Sequence, residues 1–246
     1  MSYDDFDRLK CKYILEFTIV NITPLSIRSG KSPMGLADNS IVRIKKNGKD
    51  IPYIPGSSLK GIMRCEAERY VRTTMKNEFV CDILHPTTED IGELWRHENL
   101  KDNYKPCVIC RIFGGPTIAS HIYVYDAYPY ENKCSIDLVR RVSISRITGA
   151  QMPGRLFDIE FVNPKNKFKG KIVVENIDLL SESIEAKIFN YVIKLFLKGL
   201  ISIGSMKSIG YGSLKIENLK VTKYWFENGT LKDENVTEKY LELLRR

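Results

Sequence analysis

The stretch Ile54-Pro55-Gly56-Ser57-Ser58-Leu59-Lys60-Gly61-Ile62-Met63-Arg64 constrains this chain more than any other. A Pro-Gly turn delivers two serines, after which Leu59, Ile62, Met63, Tyr70 and Val71 recur at helical spacing. The pattern predicts a helix with Ser57 or Ser58 as its N-cap, running to about residue 75. A helix N-terminus carries unpaired N–H groups and a partial positive charge. With serine hydroxyls and Lys60 beside it, and Arg64 one turn on along the same side, it suits a phosphate. An ordinary capped helix with two solvated cations has the same spacing.

Cysteine and histidine concentrate just beyond that helix. Residues 77–115 carry Cys81, His85, His97, Cys107 and Cys110 with little periodicity. Cys81 and His85 stand four apart, and Cys107 and Cys110 form a C-x2-C pair, so two short arms offer four ligands of tetrahedral type. We read a structural zinc on Cys81, His85, Cys107 and Cys110, with His97 as the alternative to His85. Two buried thiols beside surface histidines is the competing description. Metal binding would replace the core that so polar a loop is unable to build. No His-Glu-x-x-His pattern marks an open catalytic site.

Composition narrows what the chain meets. Its 246 residues, 43% of them hydrophobic, suffice for one elaborated domain or two small ones. Thirty-eight Lys and Arg against 30 Asp and Glu give a net charge of +8, the balance of a protein that meets a polyanion. The N-terminus lacks a basic and then apolar signal segment, and no apolar run reaches membrane-spanning length. The expectation is a soluble, cytoplasmic protein without membrane association, in which six Cys serve as thiols or metal ligands rather than disulfides.

Alternation places a half-buried strand at 13–20, with Tyr13, Leu15, Phe17 and Ile19 on one side. Residues 21–50 read as a long mobile connection broken by a short strand at 41–44. In it Asp38 is the one carboxylate among Arg28, Lys31, Arg43, Lys45, Lys46 and Lys49 until Asp50 is reached; Asp-Asn also favours a plain turn. Strands follow at 121–128, 138–145 and 155–162. The last two form a long hairpin around Thr148-Gly149-Ala150-Gln151-Met152-Pro153-Gly154. Its apolar tip either inserts into a partner or folds back on the domain. Residues 163–170 read as a Lys-rich turn with a solvated edge, 171–177 as a strand, and a second helix runs from Ser181 or Ser183 to about 198, ended by Gly199. A glycine-rich loop with Lys207 and Tyr211 spans 203–212, followed by a strand at 214–226 and a terminal helix at 235–246 with an Asn cap. Two β-rich portions and two main helices, with no parallel βαβ rhythm, point to an α+β fold on an antiparallel sheet of split βαβ type.

Four motifs now stand in order: Pro55 to Arg64, Cys107-x-x-Cys110-Arg111-Ile112-Phe113-Gly114, Arg141-Val142-Ser143-Ile144-Ser145-Arg146-Ile147-Thr148-Gly149-Ala150, and Gly204 to Gly212. In that order they resemble the repeat-associated mysterious protein (RAMP) superfamily, and in particular the backbone subunit of type III CRISPR-Cas interference complexes, over residues 13–223. The resemblance implies one ferredoxin-like, RRM-like domain over 1–246 with three insertions: a catalytic loop at 21–50, a zinc-bearing lid at 77–115 and a thumb hairpin at 145–160. It implies that Ser57, Ser58, Lys60 and Arg64 hold guide-RNA phosphates, helped by Arg28, Lys31, Lys207 and Tyr211. The thumb, with Thr148, Gln151 and Met152, would displace a nucleotide from the guide–target duplex at regular intervals.

Asp38 matches the loop aspartate that cuts target RNA beside each displaced nucleotide, with Mg2+ or Mn2+ as cofactor besides the structural Zn2+. The implied partners are guide RNA, complementary target RNA, further copies of the chain in a helical filament and other effector subunits. Ser145-Arg146 departs from the Asp-Arg that the family often has. Two other functions fit the same scaffold: a non-catalytic RNA-binding subunit, and a ribonuclease that processes the guide precursor. The second relies on a histidine base, and His85, His97 and His121 all lie away from the Ser57 region and the glycine-rich loop.

Overall fold

Period-two alternation in the first strand decides which way the sheet faces. In β1 (Lys12–Asn21) the side chains of Tyr13, Leu15, Phe17 and Ile19 are buried on one face, while Lys12, Ile14, Glu16, Thr18 and Val20 stand on the other. The computed structural model describes residues 6–29, 40–46, 48–75, 80–81, 106–115 and 118–245. Within them β1 is followed by β2 (Arg43–Lys46), β3 (Lys49–Pro52), α1 (Gly56–Thr74), α2 (Val108–Phe113), β4 (Ile122–Val124) and β5 (Tyr128–Pro129). Then come β6 (Ile136–Ile144), β7 (Gln151–Val162), β8 (Lys167–Glu175), α3 (Ile184–Leu197), β9 (Ile201–Ser202), β10 (Ser213–Glu227), β11 (Thr230–Asn235) and α4 (Thr237–Arg245).

The main sheet is antiparallel and curled, in the order β11-β10-β1-β8-β4, with β5 also on β8 and β9 on β10. Two β-α-β units interleave in it: β1 and β4 flank β8, and β8 and β10 flank β1. Both main helices cover the inner face. α1 buries Leu59, Met63, Ala67 and Val71 at every fourth position, and α3 buries Ile188, Phe189, Val192, Ile193 and Phe196. Tyr70 and Tyr191 stack between the helices with ring centroids 4.1 Å apart. α4 closes one side through Tyr240, whose hydroxyl donates to Asn190 Oδ1 at 2.7 Å. Ser183 caps α3 by accepting from Ala186 N, and Gly199 follows its end at φ +69°, both as the sequence predicts.

Several predicted boundaries move, each for a physical reason. Residues 163–170 are not all turn: β8 begins at Lys167 and lies in the middle of the sheet. Its lysines therefore line the outer face of a central strand, because period two sends Lys167, Lys169 and Lys171 one way and Phe168, Ile172 and Val174 the other. The strand expected at 121–128 breaks in two where Ala127 leaves β8 and pairs with Ile54. The strand expected at 41–44 lies at Arg43–Lys46, paired with β3. The helix expected from 235 starts at Thr237, because Thr230–Asn235 pairs with β10 as β11. Nor are the described parts of 21–50 a loose connection. Leu25 bridges Val162, Arg28 bridges Ile41, and Leu25 and Ile41 are buried.

Candidate nucleic-acid interface and metal centre

Helix α1 starts at Gly56, two residues earlier than a Ser57 cap would place it and three earlier than a Ser58 cap. Pro55, at φ −61° and ψ 135°, is the N-cap, and its carbonyl accepts from Leu59 N. The Gly56 N–H donates to Asp126 Oδ1 at 2.7 Å, a cap supplied from the β4–β5 connection. Glycine is required there, since a Cβ on Gly56 would lie 2.2 Å from the Val124 carbonyl oxygen. With that first N–H taken, those of Ser57 and Ser58 are left for an outside acceptor. Ser57 is exposed and Ser58 half-buried. Lys60 Nζ donates to Ser120 Oγ at 2.7 Å, and burial, with the charge of Arg64 beside it, lowers its pKa. An open groove of about 440 Å³ runs between this helix end and β4, lined by Gly56, Ser57, Lys60, Tyr123 and Tyr125.

Arg64 points elsewhere. Its guanidinium donates to Gly114 O at 2.8 Å, to Glu68 Oε1 at 2.9 Å and to Cys110 Sγ at 3.5 Å. It thereby ties α1 to the cysteine cluster. Cys81 Sγ lies 3.3 Å from Cys107 Sγ and 3.2 Å from Cys110 Sγ, and the three sulfurs all lie within 4.8 Å of one another. Cys107 caps α2 by accepting from Cys110 N at 3.4 Å. Hydrogen bonds from Cys110 and Cys81 push the Cys107 thiol to a low pKa, and the same bonds raise Cys81 and Cys110. Three converging thiols can hold a metal ion and are compatible with zinc, which takes four ligands in a structural site. His85 and His97 lie outside the described residues, as do Asp38 and Lys31.

Residues 24–29 join the remaining parts. The glycine-rich loop closes on itself through Ile203 N to Gly212 O at 2.9 Å, and hangs on this segment through Gly212 N to Pro24 O and Ser205 N to Ser26 O, both 2.8 Å. Ser26 Oγ donates to the Glu160 carbonyl in β7 at 2.9 Å. The Glu160 carboxylate accepts from Ile41 N at 3.0 Å and pairs with Arg43. Arg28 and Lys207 are exposed. Tyr211 is not: it is buried, stacks on Phe161 at 5.8 Å, and accepts a hydrogen bond from Arg141 at 3.3 Å, so it links the loop to the hairpin. The hairpin is stiffened by a two-pronged Arg140–Asp158 pair, at 2.9 and 3.2 Å.

The hairpin turn spans 145–150, where Ser145 Oγ accepts from Ile147 N and Thr148 N. Gln151 and Met152 are already in β7. Ile147 projects furthest at 96% exposed, against 39% for Met152, and Thr148 and Gln151 are exposed too. Ser120, Asp126, Ser26 and Glu160 carry no sequence motif; only their partners in space reveal them.

A family model described as the RAMP superfamily matches residues 18–215, and the chain belongs to that superfamily. It is on that footing a CRISPR-associated RNA-binding protein, in a superfamily that includes some endoribonucleases. A comparison with curated proteins returns no match. No described helix is long and apolar enough to cross a membrane.

Proposed function

We propose that this chain is a guide-RNA-binding backbone subunit of a type III CRISPR interference complex that cuts complementary target RNA at regular intervals, with Asp38 as the catalytic carboxylate. The observation that carries the reading is a gathering of parts at one end of the sheet. There β1 ends and β8 and β10 begin, with Asn21 opposite Leu214, and there lie the 24–29 segment, the glycine-rich loop and the base of the β6–β7 hairpin. The interleaved β-α-β order supports a ferredoxin-like, RRM-like core with the hairpin as thumb. Residues 27–29 and 40–42 pair through Val42 N to Ile27 O and Ser29 N to Ser40 O, so the segment that contains Asp38 leaves from and returns to a stem beside Glu160. A divalent cation, Mg2+ or Mn2+, would favour attack of a target 2′-hydroxyl on the neighbouring phosphate. Guide and target RNA, further copies in a filament and other effector subunits are the partners this role requires.

Guide contacts fall to Ser57, Ser58, Lys60, Arg28 and Lys207, and Arg64 positions α1 against the cysteines. Replacing Lys60 and Lys207 together by Ala is expected to weaken guide binding and to reduce the salt slope of log K by about 1.4, roughly 0.7 for each single-strand phosphate no longer neutralised. An unchanged slope would remove both lysines from the interface. Arg64→Ala is expected to lower thermal stability before it touches the salt slope, since it strips Gly114, Glu68 and Cys110 of a partner.

Zinc on Cys81, Cys107 and Cys110, with His85 or His97 as fourth ligand, completes the lid. Elemental analysis is expected to find about one zinc per chain, and Cys107→Ser with Cys110→Ser to abolish it. A folded chain that carries no zinc would sink the site. A guide-precursor ribonuclease gains no support from His121. That imidazole is buried, stacked on Phe6 at 4.4 Å, with Nδ1 2.8 Å from the Glu175 carbonyl.

A further inference from the structure

We infer that the outer face of the sheet, on its β4–β5–β8 side, is a platform for single-stranded RNA that extends outward from the α1 groove at Tyr123 and Tyr125, and on which bases stack against tyrosines while lysines meet the phosphates. Cross-strand register builds it. Tyr123 stands opposite Val173, the Tyr125 N–H bonds to Lys171 O, and Tyr128 stands opposite Lys169. Tyr130 reaches over the same face to hydrogen-bond Thr18 Oγ1 at 2.8 Å. Three ammonium groups already lie on the rings: Lys171 over Tyr125 at 5.1 Å, Lys169 over Tyr130 at 5.1 Å and Lys46 over Tyr128 at 5.6 Å. Even so, Tyr123, Tyr125 and Tyr130 remain 43, 50 and 40% exposed.

Charge and spacing choose the occupant. Lys167, Lys169 and Lys171 face out along β8, and the glutamate at its far end, Glu175, is neutralised by Lys12 at 2.7 Å. Glu16 stands opposite Lys171, and Asp126 accepts from the Tyr128 hydroxyl at 3.3 Å, so Lys167, Lys169, Lys171 and Lys46 outnumber the acids where the rings are, which suits a polyanion with flat, apolar bases better than a protein surface. Tyr123 and Tyr125 are two residues apart on one strand, roughly 7 Å, about two stacking steps of a polynucleotide strand. A base that displaces a lysine from a ring leaves that ammonium free for the adjacent phosphate. Such a surface is sequence-tolerant, since every base offers a π-face. It needs only that the chain binds RNA; it adjoins the guide contacts proposed at α1 through Tyr123 and Tyr125, and Tyr128, Tyr130, Lys167, Lys169 and Lys171 lie beyond that groove.

The test uses the full chain and an unstructured oligouridine of about 15 nucleotides, long enough for one binding site of this kind. Affinity is measured for the parent, for Tyr125→Ala with Tyr130→Ala, and for Tyr125→Phe with Tyr130→Phe, each also in the Lys60→Ala, Lys207→Ala background. The alanine pair is expected to weaken binding about tenfold or more in both backgrounds, and the phenylalanine pair to keep it, because the ring and not the hydroxyl does the stacking. Photocrosslinking of a 4-thiouridine version to the parent chain should map to residues 122–130 and 167–171, a readout that survives if the alanine pair fails to fold. Unchanged affinity with crosslinks confined to 56–64 and 203–212 would overturn the platform and leave the guide reading standing. A tyrosine effect that vanishes in the lysine-deficient background would show a single site, and absence of oligouridine binding would overturn the platform outright.

Discussion

Asp38→Ala is expected to leave guide binding within about twofold and to slow cleavage of complementary target RNA by roughly two to four orders of magnitude, the range a positioned acid–base group contributes. The split follows from where the described flanks of that segment are anchored. Ile27 and Ile41 are buried, Ile41 N is held by Glu160, and the stem closes through Ser29 and Ser40. Each of these contacts joins two described residues, and the stem and the neighbouring glycine-rich loop are expected to stay in place in the variant. Asp38→Asn, which keeps size and removes charge, should fall as far as the alanine if the carboxylate steers a hydroxyl or an ion. Single-turnover cleavage by the assembled complex separates the cases. Cuts at the same places and the same rate would leave the chain as an RNA-binding scaffold, with the carboxylate on another residue.

Local patterns told the truth wherever a few consecutive residues decide the outcome. Alternation found β1, apolar residues at helical spacing found α1, and C-x2-C together with Cys81 found the sulfur cluster, because each depends on residues close in sequence or on a ligand chemistry that few side chains possess. What failed to show was set across long separations. The start of α1 rests on Asp126, seventy positions from Gly56, so the serines looked like its cap. Arg64 shares a helix side with Lys60, yet the Cys110 sulfur and the Gly114 carbonyl turn it inward. Tyr211 looked like a ligand contact in a glycine-rich loop; Phe161 and Arg141, from the hairpin, make it an internal joint.

One signal was local and legible but unused. Asn228-Gly229, at φ +50° and +76°, is the two-residue turn that pairs β10 with β11. The polar run Thr230–Asn235 hid the strand that follows, because an outermost strand with little to bury shows little alternation. Lysines at every second position similarly passed for a solvated turn, although the same period is what a central strand needs to present them all on one face.

Gly212→Ala, set against Gly210→Ala, tests whether the glycine-rich loop is a built joint or a loose connection. Both glycines hold φ near +90°, at +84° and +89°. A side chain costs about 1–2 kcal/mol in that region for any L-residue. At Gly210 no atom of the described residues lies within 4 Å of an added Cβ, so strain alone applies. At Gly212 the added Cβ would sit 2.0 Å from the Ile203 carbonyl oxygen, and the backbone is held on both sides, by Pro24 O and by Ile203 N. The pairing of β9 with β10 begins at the next residue, so the clash has no free end through which to relax. The expected cost at Gly212 is about 3–5 kcal/mol, strain plus overpacking, read as a melting temperature lower by roughly 6–20 °C in a chain of this size. Because Tyr211 would lose its seat against Phe161 and Arg141, the hairpin should also become more accessible to protease at its base in the Gly212 variant and not in the Gly210 variant. Equal losses in the two variants would mean that the loop yields freely, and that the hairpin is not oriented through it.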